Sequence, residues 1–150
     1  MFRWIGGWLA ASLATYLAGC VLMTQRVLAG VSRFGVVVDL PARASMTIAD
    51  LGGLVTSYLP LITVAMAIAM LAASLLGRFV PSRRPALILL AGLTAPPALI
   101  AIMTLTFGMN PLAGAAGPAG LSLQALAGLA GGLVFLRIAG MPGGPRALEA

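Results

Sequence analysis

Two long stretches of this chain, Leu51–Gly77 and Ala86–Thr106, contain no charged residue. Only the basic turn Arg78-Phe-Val-Pro-Ser-Arg-Arg-Pro85 separates them. A bilayer hydrocarbon core of about 30 Å needs about 20 apolar residues at a helical rise of about 1.5 Å each. Either stretch is long enough, and a hairpin of two such stretches has no stable place in water. The rest of the chain must be compatible with a membrane. It is: 61% of the 150 residues are hydrophobic, 8% are charged and mean hydropathy is +1.08. Soluble domains carry about 25% charged residues.

Two further apolar runs complete a set of four. The expected architecture is all-α, an integral membrane four-helix transmembrane bundle forming a single domain over residues 1–150. Its spans are expected at about 4–23, 51–76, 86–107 and 120–138. They are joined by an outer loop at 24–50, a basic inner loop at 77–85 and a second outer loop at 108–119, with a tail at 139–150. In the first outer loop, Gly35-Val-Val-Val-Asp-Leu-Pro41 reads as an extended piece ending at a turn. Thr47-Ile-Ala-Asp50 fits a capping box, a hydroxyl with a carboxylate three residues on, and marks the expected start of the second span. In the second outer loop, Asn110-Pro111 reads as a turn.

Proline punctuates the two central spans. Pro60 in the second, and Pro96 with Pro97 in the third, each remove a backbone donor and are expected to kink or break their helices. Both breaks fall near the middle of their spans, where paired broken helices would suit a transport path. Small residues recur at helical spacing on the other faces. Ala10, Ala14 and Ala18 form one stripe, and Ala65, Ala69 and Ala73 a second. Gly120, Gln124, Gly128 and Gly132 form a third that contains a GxxxG motif; such stripes let helices approach closely. Gln124 is the one amide within the spans, placed to hydrogen-bond between helices. Met66 and Met70 read as a deformable packing surface. Trp4 and Trp8 sit where an interfacial aromatic belt would lie.

All nine basic residues are arginine and net charge is +6. The arginines cluster at the ends of apolar runs with no basic face, so the positive-inside rule explains them and nucleic-acid binding is not expected. Arg78, Arg83 and Arg84, with no acid between them, mark the inner side. Both termini are then cytoplasmic, with Arg3, Arg78, Arg83, Arg84, Arg137 and Arg146 inside and Arg26, Arg33 and Arg43 outside. The Ala, Gly, Pro and Arg bias without lysine suggests a bacterial inner membrane.

Chemistry is scarce. There is no histidine and one cysteine. The three acids are Asp39, Asp50 and Glu149, none within a span. No catalytic residue, metal site or cofactor is expected, and no Walker, Rossmann or zinc-protease pattern occurs. Leu17-Ala-Gly-Cys20 matches a lipobox. The apolar run continues through Val21-Leu22-Met23, however, where a lipoprotein would begin a polar tether, so a retained helix is expected. The leading expectation is a non-enzymatic accessory subunit packed against a larger membrane complex, respiratory or otherwise energy-converting. The alternative is a small homo-oligomeric transporter or channel lined by the broken spans.

Overall fold

The computed structural model describes residues 2–108, 112, 115 and 117–139. Helix α1 runs Phe2–Ser32, α2 Leu40–Leu54, α3 Tyr58–Phe79, α4 Arg84–Phe107 and α5 Gly117–Ala139. One 3-10 turn, Pro81–Arg83, connects α3 to α4. Among the described residues there is no strand. Helices α1, α3, α4 and α5 are each long and apolar enough to cross a membrane, the third of these spans, Pro81–Phe107, including the 3-10 turn before α4. This is a multi-pass, all-α membrane protein.

The four spans alternate in direction and close into a ring. Helix α1 packs on α5, α5 on α4, α4 on α3, and α3 back on α1; α2 packs on α1 outside the ring. One end of the bundle collects Arg3, Arg78, Arg83, Arg84 and Arg137. Here Arg3 Nε donates to Ile138 O at 3.4 Å, and Trp4 Nε1 to Ser74 Oγ at 3.4 Å. The opposite end carries Arg26, the extension of α1, and α2.

Helix α1 has 31 residues, about 46 Å at the helical rise and well beyond a bilayer core. The expected first span ended at residue 23, but the helix continues for two and a half turns into the expected outer loop. Its hydroxyls are satisfied within the helix: Thr24 Oγ1 donates to Cys20 O and Ser32 Oγ to Leu28 O, each at 2.9 Å. Gly35, at φ +82°, ends the turn that follows. Residues 36–39 have no regular structure.

The expected helix start at Thr47 is corrected to Leu40. Asp39 is the N-cap, its Oδ1 accepting from Ala42 N at 3.0 Å, and Pro41 occupies the first turn. Proline there costs no hydrogen bond, because the first-turn donors have no intrahelical partner. Thr47 lies inside α2, its hydroxyl donating to Arg43 O at 2.8 Å. Residues 51–54 therefore close α2 rather than open a span.

Pro60 requires the matching correction. A turn at residues 55–57 precedes α3, so Pro60 falls in the first turn of that helix. It removes no ladder bond and breaks nothing. Pro96 and Pro97 do lie inside α4, but helical structure runs through them without interruption to Phe107. The helix is closed by Gly108 in the left-handed region (φ 64°), whose N–H reaches Thr104 O. The Asn110-Pro111 turn and the tail beyond Ala139 lie outside the described residues.

The core is built from the inward faces of all four spans. Helix α3 contributes Tyr58, Ile62, Met66 and Met70, α1 contributes Tyr16, Cys20 and Met23, α4 contributes Ile88 and Ile100, and α5 contributes Phe135. On α3 the spacing of four places the two methionines with Tyr58 and Ile62 on a single buried stripe.

Candidate functional site

Among the described residues, buried hydrogen-bonding side chains from three helices meet around Gln124. Gln124 on α5 is 0% exposed. Its Oε1 accepts from Tyr58 Oη on α3 at 2.9 Å, and its Nε2 donates to Gly19 O on α1 at 3.4 Å. One amide thus ties three helices together. Gly19 makes room for it, since a Cβ there would stand 2.9 Å from Gln124 Oε1. Tyr16 lies against Tyr58, with ring centroids 6.2 Å apart, and its hydroxyl donates to Leu51 O of α2. Cys20 is buried alongside.

The polar layer is closed on itself. Ser12 Oγ donates to Trp8 O at 2.9 Å, and Thr15 Oγ1 faces Met66 Sδ at 4.0 Å. Thr24 Oγ1 contacts both Cys20 O and Asp50 Oδ2, the latter at 2.7 Å. In hydrocarbon an unsatisfied polar group costs several kcal/mol, so each must find a protein partner. These do. Among the described residues the layer holds no pair of carboxylates, and its one hydroxyl–carboxylate contact is that of Thr24 with Asp50. Among the described residues no cluster of His, Cys, Asp or Glu could hold a metal ion.

Below this layer the helices touch through glycine. A Cβ on Gly128 would collide with Gly92 O and stand 2.7 Å from both Cδ and Cγ of Pro96. A Cβ on Gly92 would lie 3.2 Å from both the Cα and the N of Gly132. Pro96 cannot donate to Gly92 O, so that carbonyl lacks its usual partner one turn on. It abuts Gly128 instead, in the position of a Cα–H···O contact. The proline inside α4 and the glycine pair of α5 are thus two halves of one crossing. On the other side of α5, a Cβ on Gly131 would run into Thr15 Oγ1 and stand 2.7 Å from Ala11 O. Gly7 faces Ala139 and Phe135 of α5.

The residues singled out from sequence are distributed as follows. Gln124, Gly128 and Gly132 are buried at the contacts just described. Pro96 is buried and Pro97 is half-buried. Ala10, Ala14 and Ala18 are half-buried on the edge of the α1 contact face, whose centre is Gly7, Ala11, Thr15 and Gly19. Ala65 and Ala69 are half-buried beside the methionine stripe, and Ala73 is buried. Gly120 packs on Ala115 and the Arg26 side chain rather than on α4. Arg78 and Arg83 are exposed. Arg84 lies over Gly77, where a Cβ would meet its Cγ at 2.7 Å, and its Nε is buried without a hydrogen-bond partner. Trp8 Nε1 donates to Thr63 O of α3 at 2.9 Å, and its ring stacks on Trp4, so both indoles pack between helices.

Sequence reasoning missed Gly7, Gly19, Gly92 and Gly131. Two signals were available. Gly7, Ala11, Thr15 and Gly19 are spaced by four, one position out of phase with the alanine stripe. Gly131 and Gly132 are adjacent, so α5 presents small residues to two neighbours rather than one. The chain matches no family model, no curated protein and no solved structure.

Proposed function

We propose that this protein is a non-enzymatic structural or accessory subunit that packs against a larger bacterial membrane complex, respiratory or otherwise energy-converting. The observation that carries the reading is the closed interior. The buried side chains of Ser12, Thr15, Thr24, Tyr58 and Gln124 each have a partner inside the bundle, and the buried polar side-chain atom left without one among the described residues is Arg84 Nε, at the arginine end. Glycine contacts bring helix backbones together where a transport path would have to open. The outward faces of α3 and α4 offer exposed apolar side chains, including Val64, Ile68, Leu71, Leu90 and Ile102. Such faces serve lipid and a partner's spans equally well.

Placement in the inner membrane with both termini cytoplasmic draws support from the arginines. Arg3, Arg78, Arg83, Arg84 and Arg137 gather at one end, and both acids of the described residues, Asp39 and Asp50, belong to the other. The transporter alternative rested on paired breaks in two central helices. It loses that support because Pro60 opens α3 rather than interrupting it.

The test is purification of the tagged chain from its own host in mild detergent, with mass spectrometry of what co-migrates at native size. A stoichiometric larger membrane protein is expected, and its identity would name the process served. A homo-oligomer with nothing attached would overturn the reading. Liposome transport assays would then decide the alternative.

A further inference from the structure

Helix α2 has an unusual distribution of side chains. Among its residues, all of them described, none is buried, yet each of its four polar side chains has a protein partner. Arg43 Nη1 donates to Gln25 Oε1 at 3.0 Å, and Asp50 Oδ2 accepts from Thr24 at 2.7 Å. Thr47 Oγ1 donates to Arg43 O and accepts from Gln25 Nε2 at 3.3 Å. Ser45, which faces away from α1, turns its hydroxyl onto Ala42 O at 3.0 Å. Arg43, Thr47, Asp50 and Leu54 fall on one helical face, which is directed onto Thr24 and Gln25 of α1, with Arg43 and Thr47 half-buried and Asp50 exposed at the edge of the contact. The outward surface is apolar. Leu40 is 81% exposed and Ile48 69%, and in the preceding segment Phe34 is 88% and Val37 93% exposed. Helices lying on water show the reverse pattern.

The hydrogen bonds also set a depth. Arg43 and Thr47 meet Gln25, Asp50 meets Thr24, and the Leu51 carbonyl meets Tyr16. Helix α2 therefore descends alongside α1 rather than lying across its end. Tyr16 is ten residues inward of Arg26, about 15 Å along the axis. Arg26 itself packs at Gly120, in the first turn of α5. The turn at 55–57 leads directly to Tyr58, whose hydroxyl reaches Gln124, seven residues into α5. Helix α3 thus begins about 10 Å inside the end of α5, and α2 occupies the depth that α3 leaves vacant. At 15 residues, about 22 Å, α2 cannot cross a bilayer core itself.

We infer that α2 is a re-entrant element, inserted into the leaflet at the Arg26 end, with its outward face against lipid acyl chains. The satisfied polar side chains are what such a site demands, because hydrocarbon offers no partner to a free one. A water-exposed position leaves the first observation without a cause, and a soluble partner cannot reach the depth set by the second.

The experiment is site-directed spin labelling of the full chain in phosphatidylcholine vesicles. Cys20, the one native cysteine, is replaced by alanine, and single cysteines are introduced by I48C, V64C and S82C. Val64 on α3 is the lipid reference, and Ser82 in the turn between α3 and α4 is the water reference; both are exposed. The readout is accessibility to oxygen, which partitions into lipid, relative to a water-soluble nickel chelate. The ratio at position 48 is expected to match that at 64 and to exceed that at 82 several-fold. A ratio matching position 82 would overturn the inference. So would a label shielded from both reagents, which would mean that a second copy of the chain covers the face. The three introduced positions are exposed, and parallel measurement of helical content guards against a misfolded variant.

Discussion

The seam between α4 and α5 and the flank between α1 and α2 are both helix pairs, yet they are held by opposite means. At the seam, Gly92, Pro96, Gly128 and Gly132 bring backbone against backbone, and no polar side chain takes part. On the flank, side-chain hydrogen bonds from Thr24, Gln25, Arg43, Thr47 and Asp50 do the joining, and nothing in α2 is buried. The difference follows from what each pair can gain. Between spans, lipid solvates apolar side chains as well as protein does, so association rests on close van der Waals contact, which glycine permits. A helix that packs against one neighbour cannot bury enough surface that way, and directional bonds fix its register instead.

The contrast predicts a ranking of mutational effects. The largest belongs to Gly128→Leu. The obstacles there are a carbonyl and a proline ring, neither of which can swing aside. Overpacking costs about 1–3 kcal/mol, occasionally more, and this change belongs at or above the upper end. Thermal unfolding in detergent should show a large fall in midpoint or loss of the monodisperse species. A variant as stable as the parent would mean that the seam is not a backbone contact. Gly131→Leu should behave similarly through Thr15 and Ala11.

The next effect sharpens the comparison by placing a hydrogen bond inside the core. Gln124→Leu removes the acceptor of Tyr58 and the donor to Gly19 O. A loss of about 1–2 kcal/mol is expected for the two bonds together, since interhelical hydrogen bonds in membranes contribute about 0.6 kcal/mol on average and at most about 2. A double-mutant cycle with Tyr58→Phe should recover much of that loss as coupling energy. Additive effects would show that the two side chains act independently.

Smaller again is the flank. Thr47→Val, which removes the neutral bond from Gln25 Nε2, should cost no more than about 1 kcal/mol, the net value of an ordinary hydrogen bond. Its clearest signature is local. Amide exchange in 40–54 should quicken while exchange in α5 is unchanged, because the least buried elements open first. Equal acceleration in both would mean that α2 unfolds with the core.

The smallest effect is expected for Pro60→Ala. A proline in a first helical turn replaces no hydrogen bond, so the change should stay within about 1 kcal/mol in either direction. Pro96→Ala tests the opposite situation. It restores a donor for Gly92 O but deletes a ring that packs on Gly128, and the net loss should exceed that for Pro60→Ala. Equal responses would show that the position of a proline within its helix does not matter here.

Much of the fold was legible because its signals are local and strong. Long uncharged runs, bounded by Arg78, Arg83, Arg84 and Arg137, place the spans. Gln124 announced an interhelical bond because an amide in a span has few other uses. The helix start at Asp39 was present in the sequence as an acid two residues before Pro41, but a β-branched run before it read as extended chain. The partner of Gln124 was not legible. Tyr58 lies 66 residues away, and only the pairing of α3 with the bundle brings it there.

Composition and the placing of charge are enough to make this chain a four-span helical membrane protein. Composition decides the solvent, and in hydrocarbon a single chain must satisfy its backbone within each helix or within a closed barrel. Which small residues form the contacts depends on how the helices pack. Alanine and glycine stripes lie on several faces of each helix, and their periodicity is the same whether they meet lipid or a neighbour. Packing also decides that Pro60 begins a helix while Pro96 rests inside one against Gly128. That distinction depends on where α2 ends, and α2 ends where its hydrogen bonds to α1 hold it.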